Sequence, residues 1–208
     1  VAAQDAEDPL AWIDRDRLRT AYFYANPPAE EKVQQLVDAG MNAMILKATP
    51  DKALPFLQEA KKHEGMHTFL AVNFSINAEQ EGLRQAVLAD GRVERYACPL
   101  EERFWEDHLL KGMLERAELG NDPTLQVDGL WIDFELYATV TGQRYYTNAC
   151  YCDYCMAEFA RGKGIELPEL ANAERRPWLV EQGRAEEYTQ FLQDRVQELA
   201  TDVREQVH

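Results

Sequence analysis

The chain has 208 residues, of which 46% are hydrophobic and 10% aromatic, and it carries a formal net charge of −15. This composition fits a globular protein and excludes an intrinsically disordered one. The negative charge disfavours binding to nucleic acid or to an anionic membrane surface, because both would repel it. No apolar run approaches the roughly 20 residues needed to span a bilayer, so the sequence predicts neither a nucleic-acid-binding nor a membrane protein.

Apolar runs with strand character alternate with helical patterns along the first two thirds of the chain. Strands are predicted at 18–26, 42–48, 67–74 and 127–137, and helices at 29–40, 51–64 and 100–118. A polar stretch without a predicted element separates the third strand from the third helix. This alternation predicts a parallel sheet with right-handed crossovers. No G-x-G-x-x-G or G-x-x-x-x-G-K motif follows any strand, which favours a barrel over a nucleotide-binding sheet.

The last third of the sequence predicts helices but no further strand. A helix at 153–162 and a proline-containing loop precede a helix at 185–206. The apolar face of this last helix consists of Tyr188, Leu192, Val196, Leu199 and Val203. A complete (β/α)₈ barrel takes about 250 residues, which is more than this chain provides. We therefore expect a single α/β domain over residues 1–208. This domain would be a TIM-type half-barrel containing the first four to five β-α units. Its open sheet edges predict a homo-oligomer, or pairing with a missing C-terminal half.

The segment VDGLWIDFELY (127–137) places two acids inside an otherwise apolar strand. Side chains alternate along a strand, so Trp131, Asp133 and Glu135 share one face while Leu130 packs against helices. The two carboxylates lie roughly 6.6 Å apart along the strand, close enough for each to raise the proton affinity of the other. A protonated acid beside an ionised one is what glycosidic cleavage requires. The alternative is a structural pair of acids, bound to cations or backbone groups at the strand end.

All four cysteines belong to two short segments. Cys150, Cys152 and Cys155 form a C-x-C-x-x-C loop at 150–155, and Cys98 lies far upstream. Three clustered thiolates plus a fourth from a distant loop would complete a tetrahedral structural zinc site. Disulfides, an iron–sulfur cluster and redox-active thiols are the alternatives. The opening VAAQDAEDP fits a chain from which a secretory leader has been removed, and a secreted or periplasmic location would favour disulfides.

Several other residues at predicted strand ends are candidates for sugar binding. Asn26, Lys47 and Asn73 each end a strand and would lie at one barrel mouth, where they could bind sugar hydroxyl groups. Tyr137 and Trp131 could stack on a pyranose ring. The alternative roles are turn and cap residues for the first group and core residues for the aromatics.

The strand 127–137 resembles a known glycosidase signature. D-G-x-x-x-D-x-E in DGLWIDFE resembles the D-x-x-D-x-D-x-E motif on strand four of family-18 chitinases and related glycosidases. Trp131 stands where that family has its middle Asp. The resemblance implies that Glu135 is the general acid and that Asp133 orients or stabilises the substrate.

A second resemblance covers residues 90–160. DGRVERYACPLEERFWEDHLL, VDGLWIDFELY and CYCDYCMAEF are similar in arrangement to family-42 β-galactosidases. These proteins have a Cys-Pro before the helix preceding strand four, a Glu at the end of that strand, and then a C-x-C-x-x-C loop. The resemblance implies that Glu135 is the acid/base. It also implies that the four cysteines are zinc ligands: Cys98, Cys150, Cys152 and Cys155.

The resemblance to family 42 has two departures. Phe134 stands where that family has Asn, and the nucleophilic Glu of that family comes from a seventh strand. The nucleophile would therefore lie in further sequence, or the acetamido group of the substrate would act together with Asp133. The resulting expectation is a glycoside hydrolase-like protein that cleaves an oligo- or polysaccharide. The alternative is a non-catalytic carbohydrate-binding or assembly half-barrel held by structural zinc.

Overall fold

A computed structural model describes the protein over residues 12–26, 28–72, 76–132 and 150–207. In chain order its helices and strands are α1 (Trp12–Arg15), β1 (Thr20–Tyr24), α2 (Ala29–Asp38), β2 (Ala43–Lys47), α3 (Pro50–Ala60), β3 (His67–Val72), β4 (Gln85–Val87), β5 (Val93–Ala97), a π-helix (Phe104–Leu110), α4 (Lys111–Ala117), a 3₁₀ turn (Glu118–Asn121), β6 (Gly129–Ile132), α5 (Asp153–Lys163), a 3₁₀ turn (Asn172–Glu174), α6 (Arg175–Glu181) and α7 (Ala185–Val207). The contacts divide the chain into two compact units. The first unit contains residues 12–71 and 116–131, and the second contains the other described residues.

The first unit contains a four-stranded sheet in the order β1-β2-β3-β6. β2 pairs in parallel with both β1 and β3, and Ala43 lies opposite Thr20 on one side and His67 on the other. Helices α2 and α3 connect these strands in the predicted alternation. The structure therefore confirms a mixed α/β fold with a parallel sheet.

One face of this sheet packs against α2 and α3. Phe23, Met44 and Leu70 lie in the core on this face, and Phe56 and Leu57 of α3 are buried against them. These strand residues belong to the alternating set that points toward the helices. Leu130 of β6 packs against the same core, as the alternation predicts.

The second unit combines an antiparallel hairpin with helices. β4 and β5 form the hairpin, and Gly91 in its turn adopts a φ of +85°. Helix α7 packs against the π-helix, α5 and α6. Its predicted apolar face is confirmed, with Leu199 half-buried and the others buried: Tyr188, Leu192, Val196 and Val203. None of the described helices combines the length and the apolarity needed to cross a membrane.

A buried histidine joins α1 to the sheet at the N-terminal end of β3. The Nε2 atom of His67 lies 3.0 Å from Oδ2 of Asp16, and its Nδ1 atom lies 3.3 Å from Oδ1 of Asp128. The ring of Trp12 stacks on the imidazole with the centroids 4.2 Å apart. Arg15 and His67 lower the pKa of Asp16 to about 2, because both hydrogen-bond its carboxylate. This cluster lies at the N-terminal end of the sheet, whereas Lys47 lies at the C-terminal end of β2.

Candidate metal centre

The four cysteines are brought together by the hairpin and by the start of α5. Cys98 directly follows β5, and its backbone N–H donates to the carbonyl of Arg84 at 2.7 Å. Cys152 is the N-cap residue of α5, so Cys155 lies in the first helical turn, on the same side as Cys152. The backbone N–H of Tyr151 donates to the carbonyl of Val87 at 2.7 Å, which fixes the C-x-C segment beside β4.

The four sulfur atoms converge on one point. The Sγ atom of Cys98 lies 3.3 Å from that of Cys155 and 3.6 Å from that of Cys152, and all four sulfurs lie within 4.8 Å of one another. A tetrahedral ion with metal–sulfur bonds of about 2.3 Å holds its sulfurs about 3.8 Å apart. All four cysteines are free thiols, since a disulfide would require about 2.05 Å between sulfurs. The cysteines lie close enough to bind one metal ion.

Burial and mutual contact control the ionisation of these thiols. Burial raises the pKa of Cys98 and of Cys155 well above the ordinary value. Hydrogen bonds to Cys150, Cys155 and Cys98 lower the pKa of Cys152, and the backbone N–H of Cys155 contributes to this effect. The cluster alone therefore favours the thiolate of Cys152, which lies at the N-terminus of α5. Four thiolates in this volume require a cation to offset their repulsion and their desolvation.

A layer of hydrogen bonds supports the backbone of the C-x-C segment. The hydroxyl of Tyr188 donates to the carbonyl of Cys150 at 2.5 Å, and burial raises the pKa of Tyr188 so that the hydroxyl stays protonated. The guanidinium of Arg175 donates to the carbonyl of Tyr151 at 2.7 Å and to the carboxylate of Asp153. Such a layer fixes the backbone that carries the sulfurs before any ion binds.

The structure describes three of the residues predicted to bind sugar. Asn26 is exposed beyond the end of β1, and Lys47 is half-buried at the end of β2. The Nζ atom of Lys47 lies 5.4 Å from the centre of the Tyr24 ring. Trp131 is 43% exposed on β6. The remaining candidates lie outside the described residues: Asn73, Asp133, Glu135 and Tyr137.

Two tyrosines that the sequence analysis did not select lie on the same sheet face. Tyr22 and Tyr24 of β1 are 45% and 61% exposed, and their partners in the register are Ile45 and Lys47. This face is opposite to the helix-covered one, because Phe23 between the two tyrosines packs into the core. The signal for finding them was their i, i+2 spacing at the end of the first predicted strand.

Comparison of this chain with protein-family models, with curated proteins and with solved structures gives no match.

Proposed function

We propose that this chain is part of a TIM-type barrel with glycoside hydrolase chemistry, stabilised by one structural zinc ion. The observation that carries the proposal is the convergence of four buried cysteine sulfurs. Three come from one short loop, Cys150, Cys152 and Cys155, and the fourth comes from Cys98, at least 52 residues earlier in the chain. This is the ligand set that the resemblance to family-42 β-galactosidases implies.

Zinc is the ion that fits this ligand set best. Four thiolates in a tetrahedron suit Zn²⁺ and leave no position open for substrate, so the ion would be structural. A multi-iron cluster would place the thiolates on separate iron atoms and hence farther apart than the observed 4.8 Å limit. Bound zinc would fix the hairpin to α5 and to the C-x-C segment.

The sheet order supports the barrel. In a doubly wound sheet the strand order reverses at a switch point, whereas neighbouring strands of a barrel follow one another along the chain. The order β1-β2-β3-β6 contains no reversal, and the antiparallel β4-β5 hairpin forms a separate sheet. We propose that the four strands are the first four of a TIM-type barrel.

The sheet face opposite the helices supports carbohydrate as the ligand. Tyr22, Tyr24 and Trp131 expose large parts of their rings on this face, and Lys47 lies at its C-terminal edge. Exposed aromatic rings offer apolar surface to the C–H face of a sugar, and an ammonium group donates hydrogen bonds to its hydroxyl groups. In a barrel this face would line the interior, and its C-terminal end is where barrel enzymes bind substrate.

The proposed chemistry uses the acids that follow Trp131 in the sequence. Strand alternation would put Asp133 and Glu135 on the face of Trp131. Glu135 would donate its proton to the departing glycosidic oxygen while the bond to the anomeric carbon breaks. Asp133 would stabilise the positive charge that develops on the sugar, or would orient an acetamido group that attacks the anomeric carbon.

A second candidate function is non-catalytic binding of carbohydrate by the same face. The exposure of Tyr22, Tyr24 and Trp131 favours it, because stacking on a sugar requires no acid. Under either function we propose that the open sheet pairs with a second copy or with a further half of the barrel.

The test compares Glu135→Gln with the unchanged chain on a panel of aryl glycosides that includes an N-acetylglucosaminide. Loss of a general acid should lower the rate by about 10²- to 10⁴-fold, while the zinc content stays the same. Glu118→Gln, at an exposed glutamate in the first unit, is the matched control and should keep full activity. Equal activity of Glu135→Gln, or no hydrolysis either by the unchanged chain or by a longer protein that contains it, would contradict the enzyme proposal. Retained oligosaccharide binding that Tyr24→Ala weakens would then favour the binding module.

A further inference from the structure

Arg84 lies beside the cysteine cluster although it precedes Cys98 by 14 residues and the other three cysteines by 66 or more. The Cζ atom of its guanidinium lies 3.8 Å from the centre of the Tyr154 ring, and Tyr154 stands between Cys152 and Cys155. The carbonyl of Arg84 accepts the backbone N–H of Cys98. The residue therefore contacts both segments that supply the sulfurs.

One buried nitrogen of the Arg84 guanidinium forms no hydrogen bond with the part of the chain that the structure describes. Among the described residues, Nη1 has no hydrogen-bond partner and is excluded from solvent. Its Nη2 atom lies 3.5 Å from Oε2 of Glu101, which also accepts the backbone N–H of Arg84 at 3.3 Å. A buried N–H group without an acceptor is costly, so this atom would gain from a nearby anion.

The sulfur cluster would supply that anion. Arg84 also lines a cavity of about 390 Å³ together with Cys152 and Tyr154. Arg84 therefore borders the cysteine cluster at this cavity as well as through its contacts with Cys98 and Tyr154.

Charge balance gives Arg84 a specific role. A divalent ion with four thiolates carries a net charge of −2, inside a chain whose own net charge is −15. Burying such a charge is unfavourable unless nearby cations offset it. We propose that Arg84 is a positioning residue of the metal centre: its guanidinium, oriented by Glu101 and Tyr154, offsets one negative charge of the metal–thiolate cluster and raises its affinity for zinc. This proposal rests on the proposed zinc site.

The test measures zinc affinity by competition with a chromophoric chelator in the full chain. Loss of a partner in the layer around metal ligands costs about 10- to 100-fold in affinity. Arg84→Gln and Arg84→Met should both show this loss, and Arg84→Lys, which keeps the charge, should recover most of it. The matched control is Arg92→Gln, since Arg92 is an exposed arginine of the same hairpin, paired with Asp90. It should bind zinc like the unchanged chain.

A second readout separates this role from a general loss of structure. With Co²⁺ in place of zinc, the thiolate-to-metal absorption band should move to lower energy in Arg84→Gln and Arg84→Met, because a cation near sulfur stabilises its electrons. Unchanged affinity and an unchanged band in both neutral variants would overturn the role of Arg84 and leave the zinc site intact. Failure of the unchanged chain and of Arg92→Gln to bind either ion would overturn the zinc site itself, and with it the role of Arg84.

Discussion

The hydroxyl of Tyr188 connects α7 to the cysteine segment, and its removal tests whether this bond stabilises the second unit. Tyr188 is 1% exposed, and Tyr188→Phe removes one oxygen atom while keeping the ring that stacks on Tyr151 and meets Phe159 edge-on. The carbonyl of Cys150 would then lose the hydroxyl group that donates to it at 2.5 Å. Cys150 is fully buried, so water could not replace this donor. An unsatisfied buried acceptor costs about 1–3 kcal/mol.

The assay is urea unfolding of the zinc-loaded protein, followed by the helical circular dichroism to which α5, α6 and α7 contribute. At an m value of about 2 kcal/mol per M, a loss of about 2 kcal/mol lowers the unfolding midpoint by about 1 M. Tyr22→Phe is the matched control, because the Tyr22 side chain is 45% exposed and its hydroxyl should change stability by less than about 0.5 kcal/mol. Equal midpoints for Tyr188→Phe and Tyr22→Phe would refute the assigned role of the bond.

Two further substitutions test other parts of the structure. Gly91→Ala should destabilise the hairpin strongly, because Gly91 has a φ of +85° and an added Cβ would lie 2.6 Å from a backbone nitrogen of a neighbouring turn. Gly164→Ala, at a similar φ of +62° in open space, should cost only about 1 kcal/mol in the same urea unfolding experiment, and equal losses for the two variants would contradict the clash. Asp16→Asn should flatten the dependence of stability on pH at acidic pH. Since Arg15 and His67 lower the pKa of Asp16 from 3.8 to about 2, the charged form stabilises the fold above pH 3.8 and this contribution is lost as the pH falls toward 2. Unfolding measured in chelator over this range should show a smaller loss for Asp16→Asn than for the unchanged chain, and parallel curves would argue against the pairing.

The sequence was sufficient for elements whose hydrophobic pattern is long and regular. α7 extends over Ala185–Val207 against a predicted 185–206, and its buried residues follow the predicted spacing. The first three strands lie within the predicted ranges because Val, Ile, Phe and Tyr are concentrated there. The strand order also follows from the strand-helix alternation, since right-handed crossovers place successive parallel strands side by side.

Short polar elements were not predictable in this way. β4 has only three residues, and two of the five residues of β5 (VERYA) are charged. Neither strand is therefore long and apolar enough to show the alternation of apolar and polar residues that predicts a strand. α6 (RRPWLVE) contains a proline at its third position. The first turn of a helix tolerates proline, but in a sequence a proline indicates a loop as readily as a helix start. The sequence therefore predicts neither the β4–β5 hairpin nor α6.

The other features that the sequence does not predict are contacts between residues far apart in the chain. The C-x-C-x-x-C loop is local and was therefore recognisable, whereas the contact of Arg84 with Tyr154 spans 70 positions and no motif records it. His67 meets Asp16 and Asp128 across separations of 51 and 61 residues. No motif around His67 in the sequence indicates these partners, because the two aspartates approach the histidine only once the sheet has formed.

Native mass spectrometry of the reduced chain, combined with cysteine alkylation, tests the central claim most directly. The account predicts one zinc ion per chain and four cysteines that resist alkylation until a strong chelator removes the metal. The account would be contradicted by a metal-free chain whose four cysteines are alkylated without chelator treatment. It would also be contradicted if the chain, purified without reductant, had its four cysteines paired in two disulfides.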